Sequence, residues 1–354
     1  MYAMLAVCGT FMIFLIAVTL TFFESWDTMV IVAVLMIIAS YIGVVFVDKF
    51  SILESGLKTE GFEGTVAIAG SSANESKYEW LENDELFDDF YASVFTKLTQ
   101  NETLLQAQTA ICMEEFEKHH PKNQMMILDA GCGIGIATCA LAKQGAQHVV
   151  GIDKSTAMIR YAKGTTLPNT TLTSIQQQDV EFRQADLQGP GAAGAAEFTS
   201  ACLLYFTIYY FRDLDQLFRN LALWVQPGGT LAVEVVNKYK FEPVLNASNP
   251  WVGVSPQNYV KDRITKSHAV FDKFEYEADF ELEDPRAEFR ETFRFKDGSV
   301  RRQKHRLYMP SMPEIIKKAQ ANGWLYTKYV DLMPLSFQYG YLLFFTRVAE
   351  GGGF

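Results

Sequence analysis

Missing from this chain is any pairing of cysteines that could hold a metal or staple a fold. The five cysteines, Cys8, Cys112, Cys132, Cys139 and Cys202, are scattered, form no CxxC pair and are odd in number. That pattern indicates reduced thiols rather than a disulfide framework and contains no zinc spacing. The five histidines likewise make no HExxH or other ligand-like cluster, so no metal site is expected. A dense Lys/Arg block is absent too, and the formal net charge is -10. A nucleic-acid groove is therefore excluded as the main surface, although local anion contacts are not. What the chain does have is apolar residues, 49% of its 354, enough for a sizeable core in one large domain or two small ones.

Charge is scarcest at the start. Residues 1–47 carry only Glu24 and Asp27, both in the connector FESWDT between two uncharged runs, Met1 to Phe23 and Thr28 to Val47. Each run is about 20 residues, enough for a helix across a ~30 Å hydrocarbon layer. A cleavable signal peptide fits poorly, because no basic region precedes the first run and a second follows at once. The alternative is a buried helical pair in a soluble core. The connector has no Lys or Arg, whereas Lys49 and Lys58 follow the second run. The positive-inside bias then gives a transmembrane hairpin over residues 1–50 with both ends, and the rest of the chain, in the cytoplasm. N-x-S/T sequons at Asn74, Asn101, Asn169 and Asn246 would matter only for the reverse orientation.

Residues 51–78 are rich in Gly, Ser and Glu and read as a linker. The aromatic, acidic stretch YEWLENDELFDDFYASVFTKL after it is expected to be helical, as is Glu102 to His119, where apolar residues recur every three or four positions. From Gln124 the pattern alternates: MMILDA a strand, Gly133 to Lys143 a helix, HVVGID a strand, and STAMIRYAKG a helix with Ser155 as N-cap. VEFRQADL and FTSACLLYF read as further strands, DLDQLFRNLALWV as a helix, and PGG as the turn into a fifth strand, GGTLAVEVV. Such repetition predicts an α/β fold with a parallel, doubly wound sheet. Residues 256–308 break the alternation with period-two, charge- and aromatic-rich stretches and a KDGS turn, which predicts an antiparallel β-rich insertion. A helix in PSMPEIIKKAQANGW and two strands, YTKYVDLM and GYLLFFTRV, complete the domain.

The stretch Leu128 to Gly135, LDAGCGIG, carries the chemistry. Glycines after a buried strand let the chain turn without a Cβ and let a ligand approach the main chain, while the helix behind offers free N–H donors. A dinucleotide fold uses GxGxxG or GxGxxA, but here the spacing is GxGxG, and Ile136 stands where a third small residue belongs. A pyrophosphate has no use for a carboxylate such as Asp129 just upstream; a ligand bearing an ammonium and a sulfonium does.

DAGCGIG followed by GIDKSTAMIRYAK, with ADLQ and WVQPGGTLAVEVV in order after them, resembles the class I S-adenosylmethionine-dependent methyltransferases, in the small-molecule branch often labelled type 11 or type 12. The resemblance covers residues 79–348 and implies a Rossmann-like seven-stranded sheet with an antiparallel last strand. It implies that Asp129 orients the methionine ammonium and that Gly131, Gly133 and Gly135 pack under the amino acid and ribose. Asp153 would accept from the ribose hydroxyls, Lys154 and Met158 would border the adenine, and Asp186, with Leu187 beside it, would accept from the adenine amine. Tyr91 corresponds to a position from which an N-terminal helix closes over the cofactor. One departure is Phe198-Thr199, where the family commonly has Phe-Asp supporting the fourth strand.

For the acceptor, Tyr205, Phe206 and Thr207 in YFTIYY fall at the carboxyl edge of the sheet, where open α/β folds bind ligands, with Tyr205 a catalytic candidate and Phe206 and Thr207 substrate contacts, though the rings could equally be core. In KHRLY, His305 is the general-base candidate and Arg306 a substrate contact; a surface histidine in a charged strand is the competing reading. Neither a catechol-methyltransferase metal set nor an Asn/Asp-Pro-Pro-Tyr motif is present. The expected function is methyl transfer from S-adenosyl-L-methionine to a small-molecule or lipid acceptor at a membrane, with the aromatic, acidic segment and the insertion as a selecting lid. The alternatives are a membrane-anchored binding scaffold without turnover, a protein methyltransferase, and nicotinamide-dependent oxidoreduction, which the glycine spacing disfavours.

Overall fold

A computed structural model describes residues 80–99, 101–243 and 263–349, all within one compact unit, Asn74–Phe354. The two apolar N-terminal runs, the expected linker and the first residues of the insertion lie outside the described residues. Among the described residues no helix is long and apolar enough to cross a membrane.

The core begins with a helix pair, α1 (Asp89–Thr99) and α2 (Glu102–Glu117), after a two-residue strand β1 (Leu81–Glu82). The expected single helix over 78–98 is therefore shorter, because Asn83 has φ +53° and turns the chain before a helix can start. Alternation then follows: β2 (Met126–Ala130), α3 (Ile136–Lys143), β3 (His148–Asp153), α4 (Thr156–Tyr161), α5 (Ser174–Gln178), β4 (Val180–Gln184), β5 (Phe198–Leu203), α6 (Leu214–Trp224) and β6 (Val225–Val236). Beyond residue 262 come β7 (Lys266–Val270), β8 (Phe274–Glu283), β9 (Arg286–Phe295) and β10 (Val300–Tyr308). The last elements are α7 (Met312–Ala321), β11 (Trp324–Asp331) and β12 (Gly340–Arg347).

Seven strands form one sheet in the order β11-β12-β6-β5-β2-β3-β4, with β12 antiparallel to both neighbours and the strands from β6 to β4 parallel. Successive residues of its central strands feed opposite layers, as period-two geometry requires. Leu128, Val150, Ala201 and Leu203 pack toward α6 and α7 (Leu217, Phe218, Trp224, Ile315). Ile127, Val149 and Cys202 pack the other way, against α2 and α3 (Cys112, Phe116, Leu141). Since β2 pairs with both β3 and β5, the strand order reverses beside β2, and the crevice at its carboxyl end is the topological switch point where open α/β sheets bind ligands.

Where element ends differ from expectation, local backbone geometry explains it. Helix α3 starts at Ile136, not Gly133, because Gly133 and Gly135 have φ +52° and +81°, outside the right-handed helix. Strand β4 stops at Gln184 because β3, its partner, ends at Asp153. Strand β5 stops at Leu203 because Tyr205 (φ +51°) and Phe206 (φ +62°) turn the chain. The PGG sequence sits inside β6, with Gly228 at φ +81° and a register shift opposite Phe198 and Ser200. Ser155 caps α4, its hydroxyl accepting from the Met158 amide at 3.1 Å.

The insertion is a second sheet, β1-β10-β9-β8-β7, antiparallel except for the short β1–β10 pairing. Its inward face (Ala269, Phe274, Tyr276, Ala278, Phe293) packs on α1 through Tyr91, Val94 and Leu98, and α1 in turn covers Ile134 and Met158 of the larger sheet's loops. The insertion and α1 thus form a roof over the switch point.

Candidate active site

Geometry at the glycine loop starts from Asp153, the last residue of β3. Its two carboxylate oxygens accept from the Gly133 amide (2.9 Å) and the Ser155 amide (2.8 Å). Burial raises its pKa, opposed by those amides. The glycines divide into two kinds. A Cβ on Gly131 would collide with the Thr207 methyl, and one on Gly135 would lie 2.5 Å from Phe182. At Gly133 a Cβ would meet nothing within 4 Å. Of the three glycines expected under a ligand, two make room for protein and Gly133 alone faces open space, beside the Asp153 carboxylate.

Asp129 lies beneath the loop, 2% exposed, with Thr138 Oγ1 donating to it at 2.6 Å and the Cys202 thiol at 3.8 Å. Burial pushes its pKa up to about 6 against those hydrogen bonds. Lys154 Nζ pairs with Asp84 (2.6 Å) and Asp186 (3.5 Å), and its pKa is raised, chiefly by the Asp84 hydrogen bond. Asp186 also accepts from the Gln188 amide at 2.9 Å. Met158 and Leu187 are buried core side chains, one under α1 and the other under α6. Thr199, at the position where the resemblance leads one to expect Asp, supports the strand itself: its hydroxyl donates to Met126 O and accepts from Met126 N, both at 3.1 Å.

The turn after β5 is a braced platform. Two consecutive left-handed residues, Tyr205 and Phe206, cost roughly 1–3 kcal/mol each. Glu234 of β6 offsets that by accepting from the Tyr205 amide at 3.0 Å and from Gln108 Nε2 at 2.8 Å. Burial raises the Glu234 pKa to about 7. Thr207 Oγ1 donates to Leu204 O (2.6 Å), and the Val236 amide donates to the Tyr209 hydroxyl (2.8 Å). The Phe206 ring packs on Tyr209, Phe241 and Phe337, so it belongs largely to the core, while the Tyr205 ring packs edge-on against Phe95 of α1.

Across from this platform His305 is 4% exposed, not at the surface. Its Nε2 lies 2.6 Å from Glu291 Oε2 and 3.3 Å from the Tyr91 hydroxyl, and its Nδ1 lies 2.8 Å from the Tyr210 hydroxyl. Glu291 is fully buried and also accepts from Tyr276 (2.7 Å) and Gln303 (2.6 Å). Burial alone would raise its pKa, but the charge that His305 carries when protonated and its hydrogen bond, with the Tyr276 and Gln303 hydrogen bonds, hold it below the ordinary value. Tyr91 therefore joins the His305–Glu291 pair. Arg306 does not: the strand alternation turns it to the outer face of β10, where it pairs with Glu82 at 2.7 Å. Glu291 and Tyr210 are the members of this cluster that sequence reasoning missed. Their signal was a polar residue in the apolar phase of an alternating strand, Phe289-x-Glu291-x-Phe293, and Gln303-x-His305-x-Leu307 opposite it.

Tyr210 joins the two halves. It is 40% exposed, yet its hydroxyl is deep enough that burial raises its pKa, with the charges of Glu291 and Asp153 adding to the rise. The outer part of the ring is thus accessible while its hydroxyl is held inside against His305. Phe87 stacks edge-on with Tyr210 (5.6 Å) and His305 (5.8 Å), and its carbonyl accepts from Ser155 Oγ at 2.6 Å. The residues before α1 thereby bridge the Asp153 cradle and the insertion. Among the described residues no group of His, Cys, Asp and Glu is placed to hold a metal ion.

Residues 127–229 match a family described as "Methyltransferase domain". The chain is similar to the ubiquinone biosynthesis O-methyltransferase of Coxiella burnetii, 30% identical over 112 residues, which are 32% of this chain and 44% of that one. It is also similar to phosphoethanolamine N-methyltransferase 1 of Arabidopsis thaliana, 32% identical over 34% of this chain and 23% of that one. The chain thus spans less than half the length of these relatives. Among solved structures, the CcbJ methyltransferase of Streptomyces caelestis superposes with a TM-score of 0.55 at 13% identity, covering 75% of this chain and all (100%) of that one. An S-adenosylmethionine-dependent methyltransferase from Clostridium acetobutylicum superposes with a TM-score of 0.53 at 14% identity, covering 74% and 99%. The fold is that of these Rossmann-like methyltransferase structures, and residues 127–229 match a methyltransferase domain.

Proposed function

We propose that this chain methylates a small or lipid-like acceptor, with residues 1–50 anchoring it to a membrane and the catalytic domain facing the cytoplasm. The observation that carries the reading is the Asp153–Gly133 pair beside open space at the carboxyl end of β2, under the roof formed by α1 and the insertion. Bound there, S-adenosylmethionine would supply an activated methyl group with a neutral leaving group, so positioning accounts for much of the catalysis. Asp153 would receive the ribose hydroxyls, the bare backbone at Gly133 would let the ligand approach, and Asp186 with Lys154 would flank the adenine. Asp129, held by Thr138 and Cys202, would act on the methionine ammonium from beneath the loop. His305, oriented by Glu291 and bonded to the Tyr210 hydroxyl, would be the final base for the acceptor's proton.

The methyl acceptors of relatives do not transfer directly, because an O-methyltransferase and an N-methyltransferase match the same central region. Selection falls to the roof of α1 and the insertion. The side chains around His305 are Glu291, Tyr91, Tyr210, Phe87 and Phe289, none of them cationic. Of these Tyr210 is the exposed ring, and an aromatic surface without a cation beside it favours a phenol or an amine with an apolar body over a phosphate-bearing acceptor.

Titration calorimetry of the full chain with S-adenosylmethionine, S-adenosylhomocysteine and NAD tests the cofactor half, with Asp153→Ala alongside. Binding of NAD in place of the sulfur ligands would overturn it. Methyl transfer to a polyprenyl phenol, an arylalkylamine and phosphoethanolamine then tests the acceptor class; binding without turnover on all three would favour the scaffold alternative. Alkaline carbonate extraction of membranes tests the anchor: full chain recovered in the supernatant removes it from the proposal.

A further inference from the structure

His305 has no free ring nitrogen. Nε2 is taken by Glu291 at 2.6 Å, with the Tyr91 hydroxyl at 3.3 Å, and Nδ1 by the Tyr210 hydroxyl at 2.8 Å. At 4% exposure the ring has no open face either, since Phe87, Tyr91, Tyr210 and Phe289 surround it within 6.1 Å between ring centroids. An acceptor cannot reach this histidine directly. Of the side chains that bond to His305, Tyr210 is the accessible one, 40% exposed over the whole residue with its hydroxyl at the inner end.

Tautomer logic fixes the direction of the chain. Glu291 accepts from Tyr276 and Gln303, and as a carboxylate it accepts from Nε2 as well, so Nε2 carries the ring proton. In the neutral ring, the form able to act as a base, Nδ1 then holds a lone pair and accepts from Tyr210. With its proton committed to Nδ1, the Tyr210 oxygen keeps lone pairs for a second donor, and an acceptor O–H or N–H is such a donor.

Resting on the methyltransfer reading above, we propose that Tyr210 is the catalytic residue that touches the acceptor and that His305 takes the proton only through it, with Glu291 as the positioning residue. As the new bond from acceptor oxygen or nitrogen to the methyl carbon forms, the acceptor's proton passes to the Tyr210 oxygen and the Tyr210 proton passes to His305 Nδ1. The electron pair of the breaking carbon–sulfur bond stays on sulfur, and the proton leaves to water after product release. The imidazolium formed lies between Glu291 and Tyr210, so its charge develops against a buried carboxylate. Tyr91 contacts Nε2 rather than Nδ1 and is a wall of the relay, not a member.

The test is the protonation of the His305 ring, read by nitrogen NMR of the 15N-histidine-labelled full chain in micelles, with the His305→Asn spectrum assigning its signals among the five histidines. Spectra are taken with and without S-adenosylhomocysteine at pH 7.5. The expected result is a protonated Nε2 and a bare Nδ1 whose shift changes in Tyr210→Phe and whose tautomer preference is lost in Glu291→Gln. A protonated Nδ1, a doubly protonated ring, or an Nδ1 signal indifferent to Tyr210→Phe overturns the relay. Because these signals are read in the unliganded chain too, failure of S-adenosylhomocysteine to bind refutes the cofactor reading separately. With an arylalkylamine or phenol that the wild type methylates, Tyr210→Phe should lower kcat by 10- to 100-fold with KM changed less than threefold; a loss confined to KM makes Tyr210 a wall residue and also overturns the proposal.

Discussion

The Gly133 amide donates to the Asp153 carboxylate at 2.9 Å, joining residues 20 positions apart across the carboxyl ends of two neighbouring strands. One carboxylate thereby fixes the loop and, in the proposed function, receives the ribose, so removing it should damage binding twice over. Asp153→Ala should weaken S-adenosylhomocysteine by about 10- to 100-fold, from ~1.5–3 kcal/mol for hydrogen bonds to a charged group. Asp153→Asn, which keeps one acceptor for Gly133, should fall between. Calorimetry on folded protein, checked by circular dichroism, measures both, and unchanged affinity in Asp153→Ala would remove the residue from the cradle.

The glycines separate packing from binding. Gly135→Ala would place a methyl 2.5 Å from the Phe182 ring at φ +81°, so it should cost stability, on the order of 2 kcal/mol or more. Gly133→Ala meets no atom within 4 Å and carries only the left-handed penalty, about 1–2 kcal/mol, but intrudes where a ligand would lie. Urea melts should therefore rank Gly135→Ala as the less stable, while calorimetry should rank Gly133→Ala as the poorer binder per unit of folded protein. The opposite ranking would mean that the open side of Gly133 is not where the ligand lies.

The central alternation was legible because β2, β3 and β5 are buried on both faces and so read as continuous apolar runs between helices. Ser155 was legible as a cap for the same local reason. What the residue string concealed was pairing. Gly133 and Gly135 look like good neighbours for a helix start until their positive φ is known, and His305 looks like one more charged residue of KHRLY until β9 brings Glu291 beside it. Arg306 adjoins His305 in sequence yet lies on the other side of the sheet, a distinction that strand phase supplies and residue type does not.

Thr199 provides a test of the substitution at the start of β5. Its hydroxyl bonds both polar groups of Met126 while almost fully buried, so Thr199→Val should leave them unpaired at constant shape. The expected loss is about 1–3 kcal/mol in a denaturant melt with the slope unchanged. Ligand affinity should be nearly unaffected, because Met126 lies at the end of β2 away from the glycine loop. A loss of affinity at unchanged stability would contradict a purely supporting role.

Glu234 sets a pH dependence with a definite sign. Burial raises its pKa from 4.5 to about 7, so between these values the folded chain binds more protons than the unfolded one. The stability that Glu234 contributes is then fully present below pH ~4.5 and declines as pH rises through 7. Its difference of about 2.5 units corresponds to roughly 3 kcal/mol at most. Asp129, raised to about 6 by burial, acts in the same direction over a lower window, from about 4 to 6. Glu291, held below its ordinary value, acts oppositely, so the whole-protein profile mixes signs and the comparison must be made by difference. Glu234→Gln should be more stable relative to wild type at pH 8 than at pH 5, the gap opening between pH 5 and 7. Gln can still accept from the Tyr205 amide, so the left-handed turn should persist at both pH values. Denaturant melts at pH 5, 6, 7 and 8 give the difference directly, and a gap that closes as pH rises would mean that Glu234 is ionised and paired in the fold.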